Sequence, residues 1–308
     1  MTQNNSPTTP LHQPVMTAEV LDFLQVKPDH WYLDATFGRG GHTQAILQQQ
    51  GKVVALDVDQ EAIKFGQQQF AQDISANNLI LINSNFAQLK DSLTTSCHGQ
   101  TETASIHGIV FDLGTSQDQI KAPHRGFSFD HPQDPLDMRL DQSLGVTAAD
   151  LLAVLSSKQL EELFRNYGGE NKAKQIAKAI DRYRGPEHEK RIETVGQLLT
   201  IIEQVKQRSS HLHPATKVFQ ALRIAVNSEL DSLKQALPQA LEVLTSQGRL
   251  VTIAFHQGED VIVKQQFKEW EQAQLGEIIT KKPVQPDNQE KTKNPSARSA
   301  KLRAFEKK

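Results

Sequence analysis

The feature that most constrains this chain is Asp34-Ala35-Thr36-Phe37-Gly38-Arg39-Gly40-Gly41-His42, a glycine corner between the apolar run Trp31-Tyr32-Leu33 and an amphipathic stretch at 43–50. A strand that turns through glycines into a helix is the opening unit of a nucleotide-binding α/β sheet. Gly38 and Gly40 let the backbone approach a ligand where a Cβ would clash. The helix N-terminus beyond them presents unpaired N–H groups. A dinucleotide fingerprint asks for a third glycine three residues after the second, and this chain has Thr43 there, which disfavours a nicotinamide dehydrogenase. An acidic residue before the turn, Asp34, suits S-adenosylmethionine instead, because that molecule carries a cationic sulfonium and ammonium and no pyrophosphate.

A second apolar run at 52–57 reads as the next strand and ends in Asp57. In a doubly wound sheet a carboxylate at that position lies beside the ribose of a ligand held at the first turn. It can accept both ribose hydroxyls, and charge-assisted bonds of this kind contribute roughly 1.5–3 kcal/mol each. A glycine turn that serves only tight strand–helix packing is the alternative. Asp57 favours an adenosine-containing cofactor over it.

Strand-like runs recur at 31–35, 53–57, 79–82 and 106–112, with helical patterns at 17–25, 43–50 and 60–71 between them. This alternation predicts a doubly wound, mostly parallel α/β sheet of the Rossmann-like class. It stops after 112. A loop rich in Pro, Asp, Arg and Phe at 123–135 leads into amphipathic helices expected at 148–155, 158–167, 172–183 and 195–206. Asn166-Tyr167-Gly168-Gly169 reads as a helix stop. One long helical pattern then covers 214–244, carried by Leu222, Val226, Leu230, Leu233 and Leu237 at spacings of three and four, with Pro238 expected to kink or divide it. Strands at 249–255 and 301–305 follow. The expected division is a disordered lead-in at 1–10, a discontinuous α/β domain at 11–116 and 214–308, and an inserted all-helical domain at 117–213. An insertion after the fourth strand is placed to act as a substrate-gripping lid over the ligand-binding edge.

No run approaches the ~20 apolar residues that a membrane span needs, and the first ten residues have neither the basic nor the apolar region of a secretory signal. The single cysteine, Cys97, excludes an internal disulfide and a cysteine-built zinc site, and reads as a loop thiol in a cytoplasmic protein. Net charge is -2, yet 281–308 carries nine Lys/Arg against three Asp/Glu, a net of +6 that leaves the remainder at -8. The expected helices between Arg165 and Arg191 carry eight Lys/Arg against four Asp/Glu. Both segments are candidate nucleic-acid contacts; a solvated tail is the plain alternative for the first.

The fourth run ends in Asp112-Leu113-Gly114-Thr115-Ser116, where a transferase places groups that face the reacting atoms. Asp112 is a suitable acceptor for an N–H donor such as the exocyclic amine of cytosine. That amine's lone pair is conjugated with the ring, and accepting one N–H bond helps the nitrogen become more sp³-like as it attacks. A turn cap is the alternative for Asp112. A base in structured RNA must be unstacked to reach a pocket; Phe127 and Phe129 beside Arg125 could stack on it and contact phosphate, or could simply anchor their loop. His256 ends the 249–255 strand, as a substrate or proton contact or as a structural histidine. Phe86 follows the third strand, where an aromatic can lie against adenine or in the core. A small-molecule methyltransferase would need neither the basic segments nor a helical lid. A non-catalytic RNA-binding factor would not need Gly38, Gly40, Asp57 and Asp112 intact.

Along nearly its whole length the chain resembles the MraW/RsmH family of ribosomal RNA methyltransferases. The matching stretches are His12-Gln13-Pro14-Val15, the 34–42 corner, Asp112-Leu113-Gly114 with Ser116 and Gln119, Arg125-Gly126-Phe127-Ser128-Phe129, and Pro135-Leu136-Asp137-Met138-Arg139. They continue as His213-Pro214-Ala215-Thr216, Phe219 to Ile224 including Arg223, Val226-Asn227-Ser228-Glu229-Leu230, Phe255-His256, Glu259-Asp260, and Asn294-Pro295 with Ala297-Arg298-Ser299-Ala300-Lys301-Leu302-Arg303. The chain departs from the family pattern at Gln117-Asp118, at Gln257-Gly258 and at Val261. The resemblance implies methylation of the N4 amine of a cytidine in the decoding region of small-subunit (16S) ribosomal RNA, with S-adenosylmethionine as donor. The expected partner is that RNA, either naked or in the assembled small subunit, and neither metal nor membrane is expected. It implies a class I methyltransferase fold with an inserted helical domain. Cofactor contacts carry over onto Gly40, Gly41, His42, Asp57, Phe86, Asp112 and Gln119, beside Gly38. The candidate catalytic groups are Asp112, Ser116 and His256, and the candidate RNA contacts are Arg125, Phe127, Phe129, Arg139, Arg223, Asn227 and Arg298.

Overall fold

A computed structural model describes residues 14–96, 105–206 and 213–308; the expected lead-in at 1–10 and Cys97 lie outside them. The alternating runs of the first third become β1 (Trp31–Asp34), β2 (Lys52–Asp57), β3 (Leu79–Asn83) and β4 (Ile106–Asp112), with helices Gly41–Gln48, Gln60–Gln69 and Leu89–Ser96 among the connections. β5 (Leu244–Ala254), β6 (Gly276–Ile278) and β7 (Lys301–Lys307) complete a seven-stranded sheet of order β3-β2-β1-β4-β5-β7-β6. β1 to β5 pair in parallel, and β7 lies antiparallel between β5 and β6. The doubly wound, mostly parallel expectation holds.

The strands are hydrophobic on both faces, as a sheet covered on two sides demands. Side chains alternate between two cores with the strand period of two. Leu33, Val54, Leu56, Ile109 and Phe111 enter one core with Leu233, Leu237 and Phe267, while Tyr32, Val53, Ala55 and Val110 enter the other with Val20 and Ile46. Strand order reverses between β1 and β4, so their carboxyl ends flank the switch point where α/β sheets bind ligands. Asp34 and Asp112 are the last residues of those two strands.

Two compact units emerge. One runs to Gly114 and resumes at Leu230, and the other spans Thr115–Glu229. The second unit is helical, with helices Ala148–Val154, Ser157–Asn166, Ala173–Arg184, Val195–Val205 and Thr216–Val226 around its own apolar core. Capping boxes at Thr147/Asp150, Ser156/Gln159 and Thr194/Gln197 start three of these helices, each satisfying orphan N–H groups at the helix start. The helical unit ends sixteen residues beyond the expected 213, because Val218, Phe219, Leu222 and Val226 are buried in its core.

The single helix expected over 214–244 is a misreading. The structure has two helices, Thr216–Val226 and Glu229–Val243, and Pro238 lies inside the second. The break falls at Asn227-Ser228, where Ser228 takes a left-handed φ of 49°. Asn227 leaves the helical path to accept the Leu140 N–H at 2.7 Å through Oδ1 and to donate to the Met138 carbonyl at 2.8 Å. The leucine spacing runs through the break by coincidence. Leu222 and Val226 belong to the helical unit's core, Leu233 and Leu237 to the sheet's.

Candidate active site

The corner after β1 forms as its glycines require. Gly38 and Gly40 take φ of +54° and +74°, left-handed values that glycine adopts with no Cβ penalty. A Cβ on Gly40 would sit 2.7 Å from the rings of Phe37 and Phe70, whereas one on Gly38 would meet nothing closer than 4.0 Å. The space beside Gly38 is therefore open, and the backbone around it can be approached.

Asp34 does not face that space. Its side chain is fully buried and accepts the Thr36 N–H at 3.2 Å and the Thr43 hydroxyl at 2.7 Å. Burial raises its pKa against the lowering effects of His42 and those two hydrogen bonds. The cation-facing role suggested by its position is thus replaced by a structural one. Thr43, which spoke only against a dinucleotide, does positive work by tying the first helical turn to the end of β1. Thr43→Val should cost about 1–2 kcal/mol, the penalty for removing one donor from a buried acceptor. Chemical denaturation will read it as a lowered midpoint with an unchanged slope.

Asp57 ends β2 and is nearly buried. Its Oδ2 accepts the Gly38 N–H at 2.7 Å and its Oδ1 accepts the Asp59 N–H at 2.8 Å, so it holds the corner to the second strand. Each oxygen keeps a second lone pair. Burial pushes its pKa up to about 6 despite the Asp59 and Gly38 N–H groups, and the nearby carboxylates of Asp59 and Asp34 add to the rise. Between the ordinary carboxylate value and about 6, the folded state therefore keeps a proton that the unfolded chain has released. The ligand-free protein should lose stability as pH rises through that window and level off above it. In Asp57→Asn this part of the slope should vanish from a denaturation series across pH 4–7.

Phe86 follows β3 in a half-buried position, its ring 5.8 Å from Phe111 in an edge-on contact with the core. Asp112 closes β4. Its backbone N–H donates to the Thr36 hydroxyl at 2.7 Å, and its Oδ2 lies 3.3 Å from Nε2 of the buried His42. Its Oδ1 and His42 Nδ1 are buried side-chain atoms with no hydrogen-bond partner among the described residues. Orphaned buried polar atoms are uncommon and each asks for a reason. Together with the open space at Gly38 and the spare lone pairs of Asp57, they fit a polar ligand carrying both donors and acceptors.

The other candidate catalytic residues have evident structural tasks. Ser116 caps helix Gln117–Lys121 in a capping box with Gln119, whose Oε1 accepts the Ser116 N–H at 2.9 Å. His256 caps helix Gln257–Gln272, and the buried Glu259 accepts the Phe255 N–H at 2.8 Å. His256 Nε2 lies 3.1 Å from Glu259 Oε1 without the alignment of a hydrogen bond. Asp260 accepts Arg303 Nε at 2.8 Å and Lys301 Nζ at 3.2 Å, pinning that helix to β7.

Most candidate RNA contacts serve the scaffold of the helical unit. Arg125 donates to the carbonyls of Arg139 and Leu140. Arg139 grips Asp137 through two nitrogens at 2.8 Å, and Arg223 grips Glu229 at 2.8 and 2.9 Å. Phe127 is buried, and Phe129 stacks on His213 with ring centres 4.3 Å apart. Arg298 alone of this set is exposed, in the α/β unit. The basic 281–308 segment is no free tail. Lys301–Lys307 is a sheet strand, and Lys307 Nζ donates to the Leu241 and Glu242 carbonyls. Of the eight cations at 165–191, Arg184 is buried against the Leu152, Ala153 and Leu155 carbonyls. Lys174, Lys178 and Arg182, by contrast, are exposed at spacings of four along helix Ala173–Arg184.

No helix among the described residues is long and apolar enough to cross a membrane. The model of the MraW methylase family matches residues 9–308. The chain is similar to proteins named ribosomal RNA small subunit methyltransferase H. It is 42% identical to that of Coprothermobacter proteolyticus over 96% of both chains. It is 39% identical to that of Solibacter usitatus, covering 96% of this chain and 99% of the relative, and 40% identical to that of Dictyoglomus thermophilum, covering 96% of each.

Proposed function

Because the chain belongs to the MraW methylase family, we propose that it moves a methyl group from S-adenosylmethionine to the N4 amine of a cytidine in the decoding region of small-subunit (16S) ribosomal RNA. The observation that carries the reading is the unpartnered, buried Oδ1 of Asp112 at the end of β4, beside the switch point of the sheet. When bound, the cofactor would supply an electrophilic methyl, with its carbon–sulfur bond breaking as the carbon–nitrogen bond to the amine forms. Gly38 and the corner provide the backbone cradle, Asp57 accepts the ribose hydroxyls, and Asp112 Oδ1 accepts an N–H of the amine. That last bond strengthens as the nitrogen gives up its conjugation and becomes pyramidal. The surplus proton on the methylated amine is acidic and leaves to water, so no dedicated strong base is required.

The test is transfer of radiolabelled methyl from S-adenosylmethionine to total RNA and to purified small ribosomal subunits, followed by nucleoside analysis. Label in N4-methylcytidine supports the reading, and label confined to small molecules or to another nucleoside overturns it. RNA binding is assigned to phosphate contacts from the Lys174, Lys178 and Arg182 row, among others. Each such contact makes affinity fall about threefold between 50 and 200 mM salt. Replacing all three by alanine should flatten the plot of log affinity against log salt by about 2–3 units; an unchanged slope would remove that row from the interface.

A further inference from the structure

His42 occupies an unusual position. It stands in the first turn of helix Gly41–Gln48, is 4% exposed, and points Nε2 at the end of a different strand, 3.3 Å from Asp112 Oδ2. The corner is tied to Asp112 a second time, where the Thr36 hydroxyl receives the Asp112 N–H at 2.7 Å. A carboxylate turns easily about its last bond, since that torsion has no sharp wells. With the backbone held by Thr36 and one oxygen held by His42, that rotation is stopped.

We infer that His42 is a positioning residue for the methyl transfer, holding Asp112 by Oδ2 so that Oδ1 is the oxygen presented to the acceptor amine. The inference rests on the acceptor role given to Asp112 above. His42 neither gives nor takes the proton of the reaction. The role differs from the cofactor contact implied by the family resemblance, because it acts through Asp112. The charged groups around the imidazole are Asp112 at the end of β4 and Asp34 at the end of β1. Burial pulls the His42 pKa down, but the hydrogen bond and charge of Asp112, with the charge of Asp34, outweigh it and leave the pKa raised. Nε2 donates to Asp112 in the charged ring and in the neutral tautomer that carries its hydrogen there.

The first test needs no catalysis. In the ligand-free protein, side-chain NMR should show the His42 pKa raised from the ordinary histidine value, and Asp112→Asn should lower it. A pKa that does not respond to Asp112→Asn overturns the pairing. The second test uses single-turnover methylation of small subunits at saturating S-adenosylmethionine. His42→Leu should slow transfer roughly 10- to 100-fold, the loss of one hydrogen bond to a charged group. His42→Gln, which keeps a donor nitrogen near the place of Nε2, should recover most of the rate. Calorimetry with S-adenosylhomocysteine should show a smaller change in affinity than in rate. Because the two residues act as a unit, His42→Leu placed on Asp112→Ala should add little further loss. Full additivity, or a rate loss explained entirely by weaker cofactor binding, overturns the inference while leaving Asp112 in place. A normal rate in Asp112→Ala would instead overturn the acceptor role, and this inference with it.

Discussion

Asp112→Ala should slow single-turnover methyl transfer by on the order of 10²–10³, the usual cost of removing one hydrogen bond that forms fully only in the transition state. The fold should survive the change. The tie between β4 and the corner is made by the Asp112 backbone N–H on Thr36, which alanine keeps. The side chain is partly exposed, so its removal opens no sealed cavity. What disappears is Oδ1, together with the partner of His42 Nε2. Asp112→Asn retains an acceptor oxygen but no charge, and should fall between wild type and alanine. Cofactor affinity must be measured first and saturated, so that the rate reports chemistry alone. A folded, saturated Asp112→Ala protein with a near-normal rate would reduce Asp112 to a turn residue.

Asp57→Ala should weaken cofactor affinity roughly 10- to 100-fold, by the magnitude of charge-assisted hydrogen bonds. Two effects act together. The acceptor for the ribose hydroxyls is lost, and so is the carboxylate that holds the Gly38 and Asp59 N–H groups in place. A change in fold stability separates them. Burial already opposes the charged form of Asp57, as its raised pKa records. Removing the charge therefore relieves a cost even as two hydrogen bonds go, and stability should change little beside the loss in binding. Calorimetric titration with S-adenosylhomocysteine decides the matter; unchanged affinity in a folded variant would sink the assignment.

The sheet was legible because β1 to β5 each carry an apolar run, and β1, β2 and β4 close on an aspartate. The glycine corner and the carboxylates at 57 and 112 were legible for the same reason. β6, with only three residues, carries too little pattern to register. The break at Asn227-Ser228 was hidden because two helices with different cores happen to share one leucine spacing. Asp34 was misassigned because a sequence shows that a carboxylate ends a strand without showing which way it turns, and the deciding partner was the hydroxyl of Thr43. The arginines at 125, 139 and 223 had the charge of RNA contacts. Their engagement with Asp137, Glu229 and main-chain carbonyls depends on loop geometry that charge counting cannot supply.

Three parallel strands end on an aspartate, and the pairing register fixes each one: Asp34 opposite Ala55 and Val110, Asp57 opposite Asn83, Asp112 opposite Ile253. Since both faces of these strands are packed, a shift of one residue would send every side chain into the wrong core. The carboxylates are in effect indexed by the hydrophobic residues behind them. Length variation in a descendant of this chain should therefore be confined to the connections, and a one-residue deletion inside β1, β2 or β4 should abolish the site even when the deleted residue touches nothing that binds. The sheet behaves as a ruler whose markings are its two cores, and the chemistry is read at its end.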